Sequence, residues 1–245
     1  FYFKKRGVIS ISLKHYSFNG KAYADIFKIG IPASVGMILM SIGFSLANVF
    51  AAGFGDDVVA ANGVVMRITG IAVMLSMGLA QGCQPLMGYS YGAKNYNRLW
   101  ETIKTATAIG TIIGFFFAGM FITFADIWIK VFINDAVIID LGEKIIRVYS
   151  LPMPFLGAQM VLLTMFQALG KTVESLIISL GRQGLFFIPA LIIFSSLWGF
   201  NGFILALPVA DIATVCLSVT LFLFMKKKIG TSTSCEDMPK AAGPA

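Results

Sequence analysis

Six stretches of mostly apolar residues limit what this chain can become: Ile26 to Gly53, Ala61 to Tyr89, Thr102 to Phe124, Val148 to Leu169, Leu176 to Leu197 and Phe203 to Met225. Each is as long as the roughly 20 apolar residues a helix needs to cross about 30 Å of hydrocarbon. A soluble core cannot absorb them. Of 245 residues, 57% are hydrophobic and 13% charged, and the mean hydropathy is +0.82; such a chain is an integral membrane protein. Within hydrocarbon each backbone polar group must be satisfied inside its own segment, so the runs are helices. The expected fold class is all-α, a six-transmembrane-helix bundle.

The intervening segments carry the charge. Residues 1–25 hold Lys4, Lys5, Arg6, Lys14 and Lys21 and read as a loop or surface helix; residues 26–228 hold the crossings. Ala125 to Ala136 is too short and polar to cross and reads as interfacial, with Trp128 and Phe132 at headgroup level. Lys226, Lys227 and Lys228 stop the last run, and 229–245, rich in Ser, Thr, Pro, Gly and Ala, reads as a disordered tail. Six crossings return the chain to its starting side. Lys94, Arg98, Lys104, Lys171 and the Lys226 cluster fall on that side, against Lys130, Lys144 and Arg147 on the other. By the positive-inside rule both ends are cytoplasmic, in a cell membrane such as the bacterial inner membrane. The net charge of +7 therefore sets orientation and does not point to nucleic acid.

Catalytic and metal chemistry find little support. Cys83, Cys216 and Cys235 are far apart and without ligand spacing, and His15 is a lone histidine in a basic segment. There is no Walker A loop, no GxSxG and no HExxH. Asp126, Asp135, Asp140 and Glu143 read as solvated loop charges. The chain is expected to be neither an enzyme nor the holder of a cofactor. It begins at Phe1 and not at a methionine, and the start of a larger protein is expected to be missing.

The richest stretch is Gly78 to Lys104, GLAQGCQPLMGYSYGAKNYNRLWETIK, where an apolar helix turns amide-rich at Gln81 and Gln84, meets Pro85 and surfaces among Lys94, Arg98 and Lys104. Pro85 has no amide hydrogen, so the carbonyl near Gln81 loses its donor and the helix is expected to break or bend there. Such a site is either a simple kink or a hinge beside water. Pro32, Pro189 and Pro208 are further kink candidates. Asn48, Gln81, Gln84, Gln159, Gln167 and Gln183 are neutral groups that could line a wet path, and the methionines between Met37 and Met165 offer polarizable surface for apolar ligands. Gly110 and Gly114 make a small-xxx-small pair for helix contact, and Gly36 and Gly43 permit another.

Three ionisable groups lie well inside apolar runs: Arg67, Arg182 and Asp211. A charge at the bilayer centre costs roughly 2.5 to 3.5 kcal/mol on insertion scales, so each should face protein or water. Counted at about 1.5 Å per residue, Arg182 and Asp211 reach similar depths from opposite directions and should pair. An ion pair pinning two helices is the first reading of that pairing, a coupling-ion role the second. Arg67, toward the outer end of its helix, reads as snorkelling or as a packing contact.

FKIGIPASVGMIL at 27–39, GLAQGCQPLMGYSYGAKNYNR at 78–98, FQALGKTVESLIISLGRQGLFFIPALII at 166–193 and WGFNGFILALPVADI at 198–212 resemble the multidrug and toxic compound extrusion (MATE) family. The resemblance is to the C-terminal half, helices seven to twelve, of a twelve-helix antiporter. It implies alternating access between two six-helix lobes and export of cationic or amphipathic small molecules in exchange for H+ or Na+ as coupling ion. It also implies that the N-terminal lobe of the same protein is a missing partner, alongside membrane lipid. The sodium-coupled branch has acidic residues where an ungapped alignment puts Met40 and Ala158, so the proton-coupled branch is closer. A lipid-linked saccharide flippase or polysaccharide exporter lobe is the alternative, for which more basic cavity residues than Arg67 and Arg182 are expected. A non-transporting membrane scaffold fragment is another.

Overall fold

The structure, a computed structural model, describes residues 20–236. The basic residues up to position 19, His15 among them, and the tail from 237 lie outside the described residues. Among the described residues the chain is entirely helical: α1 (Gly20–Ala52), α2 (Asp56–Gly92), α3 (Tyr96–Thr123), α4 (Ala125–Lys130), α5 (Ala136–Ser150), α6 (Met153–Ala168), α7 (Thr172–Leu180), a π-helical segment (Gly181–Phe187) and α8 (Ile188–Glu236).

The crossings follow from these lengths. α1, α2 and α3 are each long and apolar enough to span, and α5 and α6 are so only taken together, as a broken span or a re-entrant pair bent by 51°. The stretch Thr172–Met225 is 54 residues, roughly 80 Å of helix, too long for one passage. Gly199, at φ 56°, divides it. The chain reverses so tightly there that a Cβ on Gly202 would collide with the backbone carbonyl of Phe194, and only glycine adopts that φ without strain. The arms over 172–198 and 200–225 are the fifth and sixth crossings, joined at the WGFNG turn.

Boundaries differ from the apolar pattern in four places, each for a local reason. α1 starts at Gly20, ahead of the apolar run, because nothing in residues 20–25 breaks a helix and polar residues continue one as well as apolar residues do. α2 runs through Pro85 to Gly92 without interruption. Pro85 and Gln81 both lie on its exposed face, away from the packed cores. Helix precedes the fourth apolar run, starting at Ala136 and not near Val148: the expected loop charges Asp140 and Glu143 sit on α5, paired at i,i+4 with Lys144 (2.7 Å) and Arg147 (2.9 Å). Asp135 caps α5, its Oδ1 accepting from Val137 N at 2.9 Å, and Pro152 and Pro154 supply the bend. Finally, Lys226 to Lys228 end the apolar run but not the helix, and the first part of the expected tail, 229–236, continues α8.

The expected interfacial segment is short α4, in which Trp128 packs edge-on against Phe121 at 5.7 Å. Lys130 Nζ donates to Asp126 Oδ2 at 3.2 Å and holds that carboxyl below its ordinary range.

Two apolar cores fill the bundle at different depths. One gathers Ala51, Ile68, Phe121, Ile145, Leu191 and Phe203; the other gathers Met87, Leu99, Ile103, Met165, Phe166 and Met225. The belt between them is made of small and polar residues, with Ser76, Gln159, Asp211, Thr214 and Ser218 all buried. Here α3 meets α6 almost backbone to backbone. A Cβ on Gly110 would stand 3.1 Å from the carbonyl carbon of Gly157, and one on Gly114 2.8 Å from Pro154 Cα.

Candidate functional site: a buried polar cluster and two open polar stripes

The π-helical segment carries two of the singled-out residues, Arg182 and Gln183, and the sequence explains its geometry. Ile188 N–H bonds to the Gln183 carbonyl, five residues back. Pro189 follows with no N–H, and in an α-helix its ring would crowd the carbonyl of Leu185; a wider turn relieves that contact, and Gly181 and Gly184 hold α-geometry weakly.

From this segment Arg182 Nε donates to Asp211 Oδ1 at 2.9 Å, bridging the fifth and sixth crossings. The two residues pair as their depths require. Asp211 is 3% exposed, while the Arg182 side chain keeps 21% of its surface open. Elsewhere in the bundle the hydroxyl of Tyr149, at the end of α5, donates to Asn62 Oδ1 on α2 at 3.2 Å. Asn62 and Tyr149 are themselves buried. Two polar pairs thus tie the bundle, one joining α2 to the α5 end beside the 51° bend and the other joining the π-helical segment to the last crossing.

Asn62 and Tyr149 were not legible as members. Asn62 is a single amide in AANGVVM, and Tyr149 reads as an interfacial aromatic; only the 87-residue separation closed by folding makes them a pair. Tyr149→Phe should leave Asn62 Oδ1 buried without its donor, costing about 1 to 3 kcal/mol. A thermal melt of the purified protein measures this, and an unchanged midpoint would show the bond to be dispensable.

A second arrangement is open. On α1, Ser34, Ser41, Ser45 and Asn48 are all exposed and fall within roughly a 60° arc at 3.6 residues per turn. On α2, Arg67 and Gln81 are likewise exposed, with Met74, Gly78 and Pro85 on the same face, within roughly a 60° arc by the same count. Arg67 has no ion-pair partner among the described residues. α1 and α2 are antiparallel neighbours joined by a short turn at Gly53–Gly55. Hydroxyl, amide and guanidinium groups on the outer surface of a membrane bundle are costly against lipid, so these stripes face a polar space or another protein surface.

The remaining candidates separate. Gln84, Gln167 and Gln183 are half-buried, and Gln183 Oε1 lies 3.2 Å from where a Cβ on Gly43 would stand, against α1. Gln159 is 2% exposed, in the mid-depth belt, with its Oε1 unpartnered. Pro189 is half-buried and Pro208 buried, both inside α8, while Pro32 lies within α1. No group of three or more His, Cys, Asp or Glu could hold a metal among the described residues.

The fold defines the class, an all-helical integral membrane bundle with buried polar residues at mid-depth and exposed polar residues on two outer helices. The comparisons narrow the class: the MatE profile matches residues 32–193, and the chain belongs to the MatE family, whose members are transporters and not enzymes. It is 28% identical over 235 residues to the multidrug export protein MepA of Staphylococcus aureus, covering 96% of this chain and 51% of that protein. The chain thus spans about half the length of the curated relatives it matches. An outward-facing multidrug resistance MATE family transporter of the MOP superfamily superposes with a TM-score of 0.81 at 23% identity, over 94% of this chain and 52% of its own. The Vibrio cholerae MATE transporter VcmN in its bent form gives 0.77 at 20% identity, over 87% and 48%. At these identities the superpositions establish the fold.

Proposed function

We propose that this chain is the C-terminal lobe of a secondary antiporter that exports cationic or amphipathic compounds by alternating access, in exchange for H+ or Na+. The observation that carries the proposal is the pair of exposed polar stripes on α1 and α2. They need a facing surface and an aqueous space, and a second six-helix lobe across a central cleft supplies both. Two further facts support it: a relative named as a multidrug export protein aligns with 96% of this chain at 28% identity, and the alignment covers 51% of that relative's length. In this reading both ends face the cytoplasm, where Lys94, Arg98, Lys104 and the Lys226 cluster gather.

Asn48 and Gln81, the amides of the two stripes, line the cleft, and Pro85 sets the helix end beside it. The natively encoded protein, expressed in cells loaded with ethidium, should expel the dye when a proton or sodium gradient is present. Gln81→Leu and Asn48→Leu should each slow efflux several-fold at unchanged membrane abundance. Wild-type cells that keep the dye under both gradients would overturn the exporter reading, and unchanged rates in both variants would remove the stripes from the path.

A further inference from the structure

We propose that Arg67 is a specificity residue of the cleft, recognising an anionic oxygen group, such as a carboxylate, on the amphipathic compound that this lobe receives. The proposal rests on the exporter reading and narrows its substrates to compounds that carry such a group, zwitterions included. Arg67 stands 11 residues after Asp56, the first residue of α2, roughly 16 Å along the helix. That is about half the thickness of the hydrocarbon, further than a side chain can snorkel back to the headgroups. A guanidinium does not lose its proton in a protein, so at this depth it needs water or an anion. No described residue supplies the anion.

The surface around it fits that role. The exposed polar residues of the two stripes are Ser34, Ser41, Ser45, Asn48, Gln81 and Arg67, so the stripes present one charge and it is positive. Asp56 and Asp57 lie at the start of α2, about three turns earlier. The carboxylate buried among the belt residues, Asp211, is already held by Arg182 at 2.9 Å. Ile71 and Met74, one and two turns further along the same side of α2, are 49% and 76% exposed, and they set an apolar surface next to the charge. A guanidinium fork that takes a carboxylate bidentately, flanked by isoleucine and a polarizable methionine, is complementary to an amphiphile with an anionic head. An acidic side chain of a facing lobe would be the other partner for this charge. An ion pair locked across the cleft, however, would oppose the separation of the lobes that alternating access requires.

The natively encoded protein, purified in micelles, is titrated into rhodamine B, which carries a free carboxylate, and into its methyl ester, which does not. Fluorescence anisotropy reads the binding. The wild type should bind the acid roughly tenfold or more tighter than the ester, as one charge-assisted hydrogen bond provides. Arg67→Gln should erase that preference by weakening the acid alone, and Arg67→Lys should restore part of it. Both variants should melt at the wild-type temperature, because no described residue holds the Arg67 side chain. A wild type without the preference, or an Arg67→Gln protein that keeps it, would overturn the proposal. Failure to recover folded Arg67→Gln would make the side chain structural, paired across the cleft, and overturn it as well. Ethidium expelled by a wild type that shows no preference between the two dyes refutes the role of Arg67 alone. Ethidium retained in cells, beside an Arg67-dependent preference in micelles, refutes the export reading alone.

Discussion

Gly157→Leu should all but abolish recovery of folded protein, while Gly119→Ala should leave it intact or slightly stabler. The contrast arises at one helix contact. A Cβ on Gly157 falls on the backbone carbonyl of Gly110, and the facing Gly110 and Gly114 meet Gly157 and Met153–Pro154 backbone in return. None of these atoms is a side-chain tip that can swing away, so α3 and α6 must separate. Helix association in lipid depends on close packing because hydrocarbon offers no hydrophobic drive. Overpacking costs typically 1 to 3 kcal/mol where side chains can yield, and more is expected where backbone must. Separation would also open the second apolar core, where Ile103 of α3 and Val161, Met165 and Phe166 of α6 are buried together. Gly119 has nothing within 4 Å of its Cβ position, so alanine there gains helix propensity of up to about 1 kcal/mol. Fluorescence-detected size exclusion followed by a melt reads both variants. Normal recovery of Gly157→Leu would mean that the two helices do not pack at this distance.

That contact also shows how far the sequence carries. Gly110 and Gly114 announce a packing face through their spacing, but the partner glycine at 157 does not, because Met153 and Val161 stand four residues to either side of it and no small-xxx-small pair forms. α5 is amphipathic, its charged face satisfied by i,i+4 pairs, so hydropathy sees a loop where there is a helix. The Arg182–Asp211 pairing is readable because two charges in hydrocarbon have few other options and depth can be counted along each helix. The π-helical turn is not readable as such: GRQGLFFIP shows glycines and a proline, which are equally compatible with a kink. Polar residues on α1 look like packing residues one at a time. Their common exposure is a property of which face the bundle leaves uncovered, and that depends on contacts distant in sequence.

Arg182→Met and Asp211→Leu should each lower the stability of the protein by about 3 to 5 kcal/mol, while the double variant should lose much less. Removing Arg182 strands a carboxylate that is 3% exposed; removing Asp211 strands a guanidinium held by its Nε bond at 2.9 Å. Burying either charge alone is expensive because the low-dielectric interior cannot replace lost hydration. Removing both leaves two apolar chains of similar size in the same space, and the desolvation cost disappears together with the attraction. Thermal melts of the three variants in choline, where no small cation can compensate Asp211, give the coupling energy directly. Additive losses would mean that the two side chains act independently and that the fifth and sixth crossings are held by the apolar contacts of Phe187, Leu191 and Phe203 alone. A double variant that recovers stability but exports dye more slowly than wild type would show that the pair serves the transport cycle as well as the fold.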